Sequence, residues 1–471
     1  MEDKSVVVTK IWSDMFGEKN TKDEDNFFEL GGDSIMALKM SEQLKQKGYT
    51  ISLMEVFDDP TLGGVLEAVK PLNPVAKTSA LMEEQKRSYP ATVQQKWFFR
   101  KITRERDAWC EYVIISPKKP ESITPEKVNK FLFEKKLLCN FKMLKNDKGL
   151  FFEMSEMPAL IKLEEGIVTN EIGEKIVKET ISLEDGKTCC MIYDGNGNIM
   201  IIIHHLFSDA ITLKNILSAI DNLDENANFE SSLYAEYAWS QYGKYGSDNG
   251  DLSYIEERNK SYESDDVVMI SEEDYYETLV DISKEWRVSI ESILLLQLYK
   301  SIGFLPKTVI EVERIGRDAS GKWDDICGWL SFSASFDLSC AENGEQHEMA
   351  ERIGKAISGL TFEKDRLDGT ESENALTWNY IGNIDVSASF DSFNVKAFGQ
   401  FNGKSTGRTT PIYFAVYFKE DELCCDVNYD SLVYTKEQMK ILQKTFLTNV
   451  HQLSESYNTR RTDELSSILE V

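Results

Sequence analysis

The chain is short of positive charge, of histidine and of long apolar runs, and each shortage removes a class of function. Against 80 acidic residues stand 53 basic ones, a formal charge of −27. Nucleic acid or an anionic membrane surface would be repelled. The most apolar stretch, Ile199 to Phe207, is interrupted by histidines and is too short to span a bilayer. No signal-peptide pattern opens the sequence, and a cytoplasmic protein is expected. Eight cysteines occur, never in a Cys-x-x-Cys spacing. The adjacent pairs Cys189-Cys190 and Cys424-Cys425 sit in apolar, strand-like runs and read as buried, reduced thiols. Four histidines in all, with no third ligand spaced after the single His-His pair, give no reason to expect a metal. Low-complexity blocks and solenoid-length repeats are also missing, while 41% hydrophobic residues are enough for packed interiors.

What is present begins at Leu30-Gly31-Gly32-Asp33-Ser34-Ile35. Two glycines and an aspartate place a serine where a loop becomes a helix, and Met36, Met40 and Leu44 then recur every four residues, with Ile35 and Leu38 widening the stripe. Taken alone, Ser34 would be an N-cap. The whole string resembles the LGGDSI motif of peptidyl carrier proteins from nonribosomal peptide synthetases. In that family the serine carries a 4′-phosphopantetheine arm attached by a separate phosphopantetheinyl transferase. Ile11-Trp12, in a first helix, and Ile51 to Phe57 followed by Asp59-Pro60-Thr61-Leu62 extend the resemblance. It implies that residues 1–72 form an all-α four-helix carrier (thiolation) domain. Lys70 to Thr78 is rich in proline and small residues, as in a semi-rigid tether, and residues 73–88 are expected to be linker.

Beyond the linker the pattern is mixed α/β. Strand-like runs lie at Tyr112–Ser116, Ile199–His204, Thr308–Glu313, Pro411–Phe418 and Leu423–Val427. Helical stretches lie at Val128–Leu138, Thr212–Leu223, Tyr275–Gly303 and Lys436–Leu453. An acidic, turn-rich stretch, Ser247–Ser264, divides the region into two comparable halves, 89–250 and 251–471.

His204-His205-x-x-x-Asp209 closes the most apolar strand. It resembles the HHxxxDG motif of the condensation-domain superfamily, whose fold is two chloramphenicol-acetyltransferase-like lobes around a V-shaped cleft. The resemblance implies that His205 is catalytic, that His204 packs inside its lobe, and that Asp209 is an architectural ion-pair partner. Four more segments look most like epimerization domains. Tyr89 to Phe99 resembles PIQxWFF, Val312 to Asp318 resembles EGHGRE, Cys327 to Ser331 resembles VGWFT, and Trp378 to Asp385 resembles FNYLGQFD. They imply a catalytic Glu313 and supporting roles for Asn379 and Tyr380. The chain departs from the family at Ala210 (glycine), Leu213 (tryptophan), Arg314 and Ile315 (glycine and histidine), Asp318 (glutamate) and Ala334-Ser335 ("YP"). The expected glycine-rich segment before Asn379 is replaced by Arg366 to Thr370.

Inverting an α-carbon requires removing its proton and returning one to the opposite face, and a thioester carbonyl can hold the developing charge as an enolate. Two positioned acid/base groups suffice: an imidazole, which exchanges protons near pH 7 without retuning, and a carboxyl whose pKa burial can raise. The reading is a carrier–epimerization didomain that interconverts L and D configurations of an aminoacyl or peptidyl thioester in secondary-metabolite synthesis. An upstream adenylation domain or protein would load the arm, and a downstream condensation domain would take the product. Two alternatives use the same residues: acyl transfer or release with His205 as base, or a degenerate cleft that only docks the carrier.

Overall fold

The computed structural model describes residues 3–17, 21–27, 30, 37, 40–41, 43–44, 47–51, 55–56, 60–71, 81–102, 104–223, 233–246, 262–303, 305, 309–317, 323–324, 326–360, 376–383, 390–402, 410–419 and 421–469. Among them, residues up to 71 form a small helical unit. Helix α1 (Lys4–Phe16) starts on Asp3, whose carboxylate accepts from the Ser5 amide, and stops at Gly17 in the left-handed conformation. Its buried face, Val7, Val8, Ile11 and Trp12, shares an apolar cluster with Phe27, Met40, Leu44, Ile51 and, from α2 (Leu62–Ala68), Leu62 and Val65. Trp12, Phe16 and Phe27 meet edge to face. A short pairing of β1 (Tyr49–Thr50) with β2 (Lys70–Pro71) binds the start of the proline-bearing segment to this unit.

Part of the segment expected to be linker is ordered on the first of two lobes. Residues 83–87 are helical, and β3 (Ser88–Pro90) joins β5 (Phe141–Asn146) and β6 (Gly149–Met154) in a three-stranded sheet. The first lobe is built on β4 (Cys110–Pro117), β7 (Ala159–Lys162), β8 (Cys189–Tyr193) and β9 (Ile199–His204). All six residues of β9 are buried, because it is a central strand covered on both faces. Ile199, Ile201 and Ile203 face one cluster, with α3 (Val93–Lys101), α4 (Pro125–Glu134), α6 (Ala210–Asp221) and α7 (Leu233–Tyr245). Met200 and Ile202 face the other, with α5 (Asn170–Thr180).

The second lobe is a six-stranded mixed sheet in the order β10 (Ser264–Asp274), β16 (Glu422–Asp430), β15 (Ile412–Lys419), β13 (Thr377–Asn383), β11 (Val309–Arg314), β12 (Phe332–Asp337). Helices α8 (Tyr276–Trp286), α9 (Ile290–Ser301), α10 (Gln346–Ser358) and α11 (Lys436–Leu469) pack on one face. That core takes alternate strand residues: Ile310 and Val312, Trp378, Phe414 and Val416, Cys425 and Val427. Their neighbours Glu311, Glu313, Asn379 and Tyr413 therefore turn to the opposite face. The single helical stretch expected from Tyr275 to Gly303 is two helices: Arg287, left-handed at φ 54°, ends α8, and Ser289 caps α9. One strand changes lobes. β14 (Phe393–Phe401), late in the chain, pairs antiparallel with β4, so the first-lobe sheet runs β14-β4-β9-β8-β7. The eight cysteines are free thiols, six of them buried.

Candidate functional site

The two histidines part company where β9 ends. His204 is its last residue, fully buried. Its Nε2 donates to the Arg106 carbonyl at 2.8 Å and its Nδ1 accepts from the Leu206 amide at 3.1 Å, a pairing open only to the neutral ring. Burial pushes its pKa down to about 3. His205 opens a single 3₁₀ turn, His205–Phe207. Its ring lies against Trp109 (4.5 Å between centroids, edge to face) and stacks on Trp329 at 4.8 Å. Nδ1 is 2.7 Å from the Ser208 carbonyl. A carbonyl only accepts, so Nδ1 carries the proton and Nε2 is the basic nitrogen. The Glu111 carboxylate stands 3.5 Å from the same Nδ1.

Asp209 caps α6 and joins it to the second half of the chain. Its Oδ1 accepts from the Thr212 amide at 2.9 Å, and its Oδ2 accepts from the amides of Leu330 (3.0 Å) and Ser331 (3.2 Å) and from the Arg317 guanidinium. The Arg317 side chain is fully buried. Burial alone would raise the Asp209 pKa, but Arg317 and these hydrogen bonds hold it below the usual carboxylate range. Two glycines permit the close approach. A Cβ on Gly316 (φ +68°) would fall 1.7 Å from the Leu330 oxygen, and one on Gly328 (φ +154°) would fall 2.2 Å from the Tyr234 ring.

Glu313 lies on β11, on the face of the second-lobe sheet opposite the helices. It accepts a hydrogen bond from the Tyr413 hydroxyl at 3.3 Å, which in turn accepts from the Asn379 amide at 2.7 Å. The neighbouring arginines have other partners: Arg314 reaches Glu291 on α9 at 2.8 Å, and Arg317 reaches Asp209. Arg314 thus occupies the helix-covered side, so the replacement of the family's glycine there does not crowd Glu313. Tyr380, on the opposite side of β13 from Asn379, packs against the helical core. Glu313 and His205 are each four residues from one member of the Asp209–Arg317 pair. At up to about 3.6 Å per residue, neither Cα can be more than about 14 Å from its own end of that tie.

Several residues that build the site are given no role by the motifs. Glu111 on β4 and Trp109, just before that strand, flank His205, although a carboxylate in the otherwise apolar series Glu111, Val113, Ile115 is a signal in retrospect. Gln95, capping its own helix at Thr92, also donates to the Leu206 carbonyl at 2.8 Å and so steadies the histidine turn. Ala210, where the family has glycine, is exposed at the first turn of α6 and its methyl meets no obstacle. Leu213, in place of tryptophan, is buried in the first-lobe core. Ser34, Asp318 and Arg366 to Thr370 lie outside the described residues. Among the described residues no helix is long and apolar enough to cross a membrane, and no cluster of side chains is suited to hold a metal.

Residues 6–69 match the family model described as the phosphopantetheine attachment site. Tyrocidine synthase 2 of Brevibacillus parabrevis is 36% identical over 105 residues, covering 22% of this chain and 3% of that protein. Bacitracin synthase 3 of Bacillus licheniformis is 21% identical over 517 aligned positions, covering 96% of this chain and 8% of that protein. The chain spans less than a tenth of the length of the curated relatives it matches. Among solved structures, the epimerization domain from the third module of tyrocidine synthetase B superposes with a TM-score of 0.59 at 14% identity, covering 79% of this chain and 98% of that one. The condensation domain of the monacolin K polyketide synthase gives 0.58 at 10% identity, covering 78% and 97%. Two near-equal scores, one from an epimerization domain and one from a condensation domain, show the fold. Residues 6–69 are thus a carrier domain of the phosphopantetheine-attachment family, whose members hold 4′-phosphopantetheine on a serine, and the residues that follow take the two-lobed fold shared by epimerization and condensation domains.

Proposed function

We propose that the chain is a carrier–epimerization didomain of a nonribosomal peptide synthetase, acting in the cytosol on an aminoacyl or peptidyl thioester held by its own arm at Ser34. The partition proposed is 1–72 carrier, 73–88 linker, 89–250 and 251–471 the two lobes. A phosphopantetheinyl transferase would install the arm, an upstream adenylation activity would load it, and a downstream condensation domain would receive the product. The thioester supplies the acidity of the α-proton. His205 offers the proton-accepting Nε2, with Nδ1–H committed to the Ser208 carbonyl. Glu313 is the second acid/base group, supplying or taking the proton on the other face of the carbon. Asp209 and Arg317 hold the two halves of the pair in register.

The observation that carries this over acyl transfer is the setting of Glu313. It sits on a sheet face opposite the helices and is oriented by Tyr413 and Asn379, whereas transfer to a nucleophile needs only the histidine base. The test is proton washout. The loaded protein in deuterated water should gain one carbon-bound deuterium and invert. Glu313→Gln should fold and load but lose inversion by roughly 10²–10⁴-fold, while His205 can still exchange the proton on its own face. Inversion at the wild-type rate in Glu313→Gln, or a new amide or ester in place of an inverted centre, would establish the transfer reading instead.

A further inference from the structure

Glu111 is a carboxylate where the sheet calls for an apolar side chain. On β4 it faces the same way as Val113 and Ile115 and pairs across with Ile203 of β9. It is 5% exposed, and its Oε2 is buried with no hydrogen-bond partner. Such a group is costly to keep unless its charge is used. Its other oxygen, Oε1, is 3.5 Å from the His205 Nδ1.

We propose that Glu111 is a positioning residue for His205, whose carboxylate provides the counter-charge for the imidazolium that forms when Nε2 takes a proton. Nδ1–H stays on the Ser208 carbonyl, which fixes the tautomer, and no proton passes to Glu111. The carboxylate acts through the ring by charge alone. This deepens the proposed reading, since it rests on His205 being the proton-accepting group.

The other charged groups around the ring cannot take this part. His204, adjacent on the chain, is held neutral by its two backbone hydrogen bonds. Asp209 is neutralised by Arg317. The Arg106 guanidinium is committed to the carbonyls of Phe99 and Ile102. Trp109 and Trp329 offer only ring surface and exclude water, which strengthens the Glu111–His205 interaction. Burial holds the Glu111 carboxyl pKa above its ordinary value, and the charge on His205 is the largest influence in the other direction, ahead of the nearby Ser208 and Gln400.

The full chain without a loaded arm is sufficient for the test, so a failed proposal can be told apart from a failed epimerase reading. The ring C–H resonances of His205, assigned through His205→Gln, are followed against pH. In Glu111→Gln the midpoint should move to lower pH by about one unit or more, as loss of an opposite charge at this range implies, with partial recovery in Glu111→Asp. On loaded protein, the acid limb of deuterium washout should move the same way. A second measurement needs no variant: the Glu111 side-chain carboxyl carbon in wild-type protein should step at the His205 midpoint. A His205 midpoint unchanged in Glu111→Gln, or a Glu111 signal that ignores His205, overturns the proposal.

Discussion

Asp209 carries more bonds between the two halves of the chain than any catalytic candidate does, which separates holding the site from working it. Its carboxylate is buried and ionised, and its partner Arg317 is equally buried. Removing one member of such a pair leaves the other charge uncompensated and costs about 3–5 kcal/mol. Asp209→Ala should therefore lower the melting temperature together with activity. An inactive variant of unchanged stability would contradict this. The acid response has two parts of the same sign. Asp209 has a folded pKa below its unfolded one, so its contribution is present above about pH 4 and fades as pH falls through the folded value. His204, at about 3 when folded and about 6.5 when unfolded, resists protonation only while folded. Its contribution is complete above about pH 6.5 and is lost progressively toward pH 3. Melting temperature should begin to fall below about pH 6.5, and the initial slope should flatten in His204→Gln. An unchanged slope would remove the histidine from this account.

At the scale of elements, strands with strong alternation or continuous apolar character are legible in the sequence. β9 falls on its expected residues, 199–204, and β11, β15 and β16 within a residue or a few at each end. His204, His205 and Asp209 are legible because one strand–turn–helix holds all three. Residues brought in from elsewhere are not. Arg317 is 108 positions from Asp209, and nothing in its local pattern names a partner. β14 looks locally like any half-buried strand, so its crossing to the other sheet could be decided only by the edge that β4 leaves available. The break at Arg287 escapes a sequence reading because the apolar period continues across it, while the stop lies in a backbone conformation a non-glycine residue seldom adopts. Glycine is informative where such a conformation meets a close contact. Gly316 is left-handed with the Leu330 carbonyl where a Cβ would be. Gly316→Ala must shift that backbone and with it two amides that hold Asp209, and should cost about 3 kcal/mol or more. A melting curve that matches wild type would show that Gly316 and the Leu330 carbonyl can part without loss.

Across the whole molecule, the carrier and the two-lobed domain meet through a residue that belongs by sequence to the site. Ile211, two positions after Asp209 in the first turn of α6, is 3% exposed and buried in the carrier's apolar cluster with Trp12, Phe27 and Leu62. The helix whose cap ties the first lobe to Arg317, Leu330 and Ser331 is thus also the helix that meets the carrier. With a net charge of −27 on the chain, two acidic bodies would tend to separate, so the contact depends on apolar burial. Burying an isoleucine is worth roughly 1.5–3 kcal/mol, enough to change the docked population by about 10- to 100-fold. Ile211→Asp should leave arm attachment intact: a phosphopantetheinyl transferase with coenzyme A should still add one arm, lost only in Ser34→Ala. Deuterium washout from the loaded arm should fall by at least about tenfold, with Ile211→Ala intermediate and the melting transition of the two-lobed domain retained. Washout at the wild-type rate in Ile211→Asp would mean that the carrier delivers its cargo from a different position. Failure of Ser34→Ala to abolish arm attachment would instead move the attachment serine itself, without touching the role of Ile211.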